Sequence, residues 1–149
     1  MKKFFSFIAA AAVLGLAMPQ AASAKQHFFT FTNNTNDGIR AFEFRGGRCM
    51  NKGPGDLGFL VPRQGQTIHP VHVYVDTSES FKCNFERSFF YMRFVDAVTG
   101  KYLEVEFDKA FNRDWIARQW HRDNDFLSYC FSTHNANRVV IINTKQRGC

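Results

Sequence analysis

After residue 24 the chain has no apolar run long enough to cross a bilayer as a helix, which takes about 20 apolar residues. It also lacks the short motifs that mark common chemistries: there is no G-x-S-x-G elbow, no H-E-x-x-H zinc helix, no calcium loop and no G-x-x-x-x-G-K-[ST] phosphate loop. None of its four cysteines, Cys49, Cys83, Cys130 and Cys149, forms the closely spaced pair of a structural zinc knuckle, so no metal and no other cofactor is expected. Acidic and basic residues are interspersed. With no run of like charge there is no nucleic-acid arm and no polybasic membrane segment, and nucleic acid is not an expected partner.

What is present begins with the first two dozen residues. Lys2 and Lys3 precede an apolar stretch from Phe4 to Ala17, and Ala22-Ser23-Ala24 supplies the small residues of an A-x-A site. This pattern predicts a secretory leader over 1–24, cleavage after Ala24 and a mature chain starting at Lys25, periplasmic or secreted. The remaining 125 of 149 residues suit one domain, 25–149. The leader removes two of 19 Lys and Arg and none of 13 Asp and Glu, leaving a net charge of +4.

An even cysteine count in an exported chain points to two disulfides. Three pairings are possible, and proximity of neighbouring segments favours Cys49 with Cys83 and Cys130 with Cys149.

Of 18 phenylalanines, three lie in the leader, so 15 remain to fill a core with few leucines. Apolar residues recur in short runs of period-two character: His27 to Asn33, Ile39 to Phe44, Gly58 to Val61, His69 to Val75, Phe81 to Phe85, Ser88 to Val95, Lys101 to Phe107, Phe126 to Thr133 and Arg138 to Asn143. Eight or nine short strands separated by turns predict an all-β, mainly antiparallel sandwich. Ser88 to Val95, apolar on both faces until Arg93, reads as a central strand. The turn residues Asn33 to Gly38, Asp96 to Lys101 and Asn135 to Asn137 predict hairpins. Between Asp108 and Asp125 the alternation fails, and the spacing of Phe111, Trp115, Ile116 and Trp120 predicts one short helix near 112–121. Asn112 is its N-cap, Asp114 and Arg118 pair one turn apart, and both tryptophans face the sheet.

Three groups of residues are candidates for function. The stretch from Arg45 to Asp56 reads as a glycine-rich surface loop, where Arg45, Arg48 and Lys52 are placed to meet an anion. Five histidines, His27, His69, His72, His121 and His134, offer acid–base chemistry; His69 and His72, three apart on a strand, point to opposite faces. His121 and His134, if brought together, suit phosphodiester cleavage of the ribonuclease kind. Glu104 and Glu106, two apart on one strand, read as a solvent face and not as a glycosidase pair. The reading these residues support first is an exported binding protein without turnover, for another protein or an anionic envelope ligand. A basic secreted phosphodiesterase using the histidines is the alternative.

Overall fold

The computed structural model describes residues 24–61, 71–76, 83, 87–110, 113–123, 127–134 and 137–143. The expected leader up to residue 23 lies outside them, as do His69, Asn112 and Cys149. So does the strand expected over 81–85, apart from Cys83.

Among the described residues, ten strands build two five-stranded sheets that pack face to face as an all-β sandwich. In chain order they are β1 (Ala24–Asn34), β2 (Ile39–Arg48), β3 (Met50–Lys52), β4 (Asp56–Leu60), β5 (Val71–Asp76), β6 (Ser88–Asp96), β7 (Tyr102–Lys109), β8 (Trp115–Arg122), β9 (Leu127–Ser132) and β10 (Asn137–Asn143). The first sheet has the order β3-β5-β1-β10-β9 and the second β4-β2-β6-β7-β8. Among the described pairs only β1 with β10 is parallel, which joins the two ends of the fold at the middle of one sheet. As the sequence suggests, β6 is the central strand of its sheet.

The core follows from alternation. On β1 the inward series Phe29 and Phe31 is fully buried, opposite Phe90, Met92 and Phe94 of β6 and Leu103, Val105 and Phe107 of β7. Phe29 is the hub. Its ring meets Phe90, Phe107 and Trp115 edge to face at 5.2, 5.6 and 5.1 Å, and lies stacked with Phe31 at 6.1 Å and Phe131 at 6.4 Å.

Two turn expectations meet different outcomes. Asp96 to Lys101 closes the hairpin β6–β7: Gly100 takes φ +69°, its N–H donates to Asp96 O, and Asp96 Oδ1 accepts from the N–H groups of Val98 and Thr99. The segment Asn33 to Gly38, in contrast, is not a hairpin but an arch carrying the chain from one sheet to the other. Buried Asn33 fixes it, accepting from Thr35 N–H and Oγ1 while its amide donates to the carbonyls of Asp37 and Leu60 at 2.7 and 2.9 Å. With four bonds made inside the arch and to β4, Asn33 holds β2 beneath β1 instead of beside it.

The stretch expected as a helix near 112–121 is strand β8 from Trp115 onward. Apolar Ile116 and Trp120 on the outward face explain the misleading period, and a β-bulge follows. Glu104 pairs with His121 and Val105 with Gln119, so Trp120 is an extra residue on β8. Trp115, opposite Lys109, points inward and is 3% exposed, while Trp120, an odd number of residues further on, faces outward and is 53% exposed. The expectation that both tryptophans face the core holds for Trp115 alone. Trp120→Ala is therefore expected to cost about 1 kcal/mol or less in urea unfolding, the size of one surface aromatic contact. A loss as large as a core cavity produces would return Trp120 to the interior.

The glycine-rich stretch is also more regular than a loop. β2 runs on to Arg48, turns at Cys49, whose φ is +52°, and re-enters the opposite sheet as β3, paired with β5. At Gly47 a Cβ would stand 1.7 Å from the Phe89 carbonyl oxygen, so only glycine lets β2 pass this close to β6. The disulfide Cys49–Cys83 anchors the corner. Cys130 is disulfide-bonded too, while Cys149, its expected partner, lies outside the described residues. A disulfide is compatible with an oxidising compartment.

Candidate binding face

The outward face of the sheet β4-β2-β6-β7-β8 carries a lattice of arginines and aromatic rings. It originates in the β6–β7 hairpin, whose register sets Arg93 opposite Glu104 and Tyr91 opposite Glu106. Arg93 donates to Glu104 Oε1 from Nε at 2.8 Å, and its guanidinium lies 4.7 Å from the Tyr102 ring centroid and 4.8 Å from that of Phe44. Arg87 donates from Nε to Asp108 Oδ1 at 2.9 Å and reaches Glu106 at 3.2 Å, while Arg118 stands 3.9 Å from Asp108.

A second bulge brings β2 into the lattice. Glu43 pairs with Met92 and Arg45 with Tyr91, leaving Phe44 as the extra residue. Phe44 and Arg45 thus both reach the Tyr91 ring, the phenylalanine at 5.9 Å and the guanidinium at 5.5 Å. Trp120 meets Tyr91 edge to face at 5.1 Å from the other side. Burial pushes the Tyr91 phenol above its ordinary pKa, and its hydrogen bond to Glu106 acts in the same direction. Along the rim, Arg40 bonds Asp56 at 2.9 Å and lies over Phe42 and Phe59; the Gly58 N–H and Arg40 together hold the Asp56 carboxyl below its usual value.

The layering gives this face its sign. Glu104, Glu106 and Asp108 are 5%, 8% and 2% exposed, whereas the side chains of Arg87 and Arg118 are 51% and 58% exposed. Carboxylates form the lower layer, and guanidinium groups and rings the upper one. The expectation of a solvated face at Glu104 and Glu106 is therefore corrected: both point away from the core, but arginines and rings cover them.

The structure separates the other candidates. Of Arg45, Arg48 and Lys52, expected together on one loop, Arg45 joins this face, Arg48 lies opposite Phe89 near the corner, and Lys52 sits on β3 in the other sheet. His121 pairs with Glu104 across β7–β8 and packs 5.4 Å from Tyr102 on the outer face. His134 follows β9 and lines an open groove of about 700 Å³ with Trp115, Tyr129 and Phe131, so the two histidines belong to different surfaces. His72 packs on Phe28, on the exposed side of β1 and β5. Among the described residues no three His, Cys, Asp or Glu side chains gather as a metal site.

Sequence reasoning missed Tyr91, Arg93, Arg87, Arg118 and Trp120 as a group. The signal was available in part: folding the hairpin about its Gly100 turn places Arg93 against Glu104 and Tyr91 against Glu106. The fold and face together define a two-sheet sandwich with an arginine–aromatic outer surface. Comparison of the chain with family models, with characterised proteins and with solved structures finds no match.

Proposed function

We propose that this protein is an exported, non-catalytic binding module that holds an anionic envelope or extracellular partner on the outer face of the sheet β4-β2-β6-β7-β8. The observation that carries the reading is the layering: neutralising carboxylates lie beneath, and half-exposed arginines and rings lie above. An approaching partner meets guanidinium donors first, in a planar geometry suited to carboxylate, sulfate or phosphate groups. Trp120 at 53% and Phe59 at 62% exposure add flat apolar area of the kind that anchors partners. The arginines and rings brace one another, so little side-chain freedom is lost on binding.

Export is supported by the leader pattern and by the disulfide. Intact-mass analysis of exported material is expected to give Lys25 to Cys149 less four hydrogens; a mass retaining the leader contradicts the proposal.

Binding is tested by retention on a sulfated polysaccharide column. The wild type is expected to elute late and earlier with rising salt, and Arg45→Ala/Arg118→Ala to elute at clearly lower salt with stability changed by less than about 1 kcal/mol. Elution of the double variant with the wild type overturns the assignment of this face. Release of acid-soluble nucleotides from RNA by the purified protein would favour the hydrolase reading in its place.

A further inference from the structure

A different surface, at one end of the sandwich, carries a second inference. The inward-facing series of β1 is not apolar throughout: before Phe29 and Phe31 it reads Lys25 and His27, which pair with Val75 and Val73 of β5. The inward series of β7 likewise ends in Lys109, directly opposite Trp115 of β8 and Ser88 of β6. Two lysines, a histidine and a tryptophan thus sit above the phenylalanine core where the two sheets open. The His27 and Trp115 rings touch edge to face, with centroids 5.6 Å apart.

This end contains an unmet hydrogen-bonding demand. Trp115 is 3% exposed and, among the described residues, its indole Nε1 has no acceptor and buried Nε2 of the neighbouring His27 has no partner. A buried polar atom without a partner costs free energy, so two adjacent ones mark a place where a group is wanted. The indole nitrogen can only donate, and a neutral imidazole protonated on Nε2 donates too. The indole therefore calls for an acceptor, and the imidazole calls for one in the tautomer protonated on Nε2.

The charge around them has one dominant sign. Burial and the neighbouring positive charges of Lys109 and Lys25 hold His27 down to about 4, and burial together with Lys25 lowers Lys109. Lys109 is anchored by donating to the Arg113 carbonyl, and the Asp114 carboxylate beside it offsets its charge only in part. Lysines that raise the cost of one another's charge are relieved by an anion between them.

We propose that this end of the sandwich is a binding site for a small oxyanion, held by the ammonium groups of Lys25 and Lys109 and by the ring N–H groups of Trp115 and His27. The shared chemistry is a phosphate-like group, free or as the head of a monoester.

The test is an NMR titration of the ¹⁵N-labelled protein with inorganic phosphate and, separately, with glycerol 3-phosphate, each against sodium chloride at matched ionic strength. The expected result is a saturable shift of the Trp115 indole resonance, with Trp120 unmoved, and a rise of the His27 titration midpoint from about 4. Tighter binding of the monoester assigns the source as a head group, and tighter binding of inorganic phosphate assigns it as the free ion. Lys25→Met/Lys109→Met is expected to bind roughly tenfold more weakly, the loss of charge-assisted contacts, and Lys101→Met, at the other end of β7, to match the wild type. A Trp115 resonance that does not move, or that moves equally with chloride, overturns the proposal on the wild-type protein alone, whatever the variants' folding.

Discussion

Phe29→Ala is expected to lower stability by about 3–5 kcal/mol, the range for emptying a fully buried phenylalanine site. The ring is at zero exposure and is shared by five other aromatic rings drawn from β1, β6, β7, β8 and β9, so both sheets lose contacts at once. Aromatic rings cannot collapse into the void as aliphatic chains partly can, which places the effect in the upper part of that range. A domain of this size has about 5–15 kcal/mol in total, so the variant should unfold at markedly lower urea with the slope unchanged. A loss under about 1 kcal/mol would mean that the two sheets do not share this core.

Replacing Cys49 and Cys83 together with serine is expected to cost about 4 kcal/mol on the chain-entropy account, given the sequence separation of 34. The location adds to the expectation. Cys49 adopts φ +52° at the corner where β2 leaves one sheet and β3 enters the other, and three residues of β3 paired with β5 form a short edge that the cross-link holds in place. Urea unfolding of the double variant beside the oxidised wild type measures it. Equal stabilities would show that the corner is set by strand pairing alone.

Much of the fold is legible because its strands are driven by a period-two pattern of apolar residues, many of them phenylalanine. Wherever that pattern is unbroken, as in β1, β6 and β7, strand and facing are both readable. It fails where an extra residue interrupts it. The bulges at Phe44 and Gly46-Gly47 make the end of β2 look like a loop, and the exposed apolar residues Ile116 and Trp120 make β8 look helical. The interruption in β2 helps build the candidate face: it turns Phe44 and Arg45 onto Tyr91, which Trp120 meets from β8. Sheet membership is less readable still, since β1 pairs with β10 from the far end of the chain and the Asn33 arch resembles a hairpin in composition. Of the site, Arg45 is visible in the sequence as an exposed cation; its place over Tyr91 depends on inter-strand register that only the assembled sheet supplies.

The most direct test of the proposed binding face uses its one exposed indole. In a titration of the ¹⁵N-labelled protein with soluble sulfated polysaccharide, the Trp120 indole resonance is expected to shift saturably together with the backbone amides of Tyr91, Arg93 and Arg45, and to do so less at high salt. Binding that leaves Trp120 and those amides unmoved, or no binding at low salt, contradicts the account.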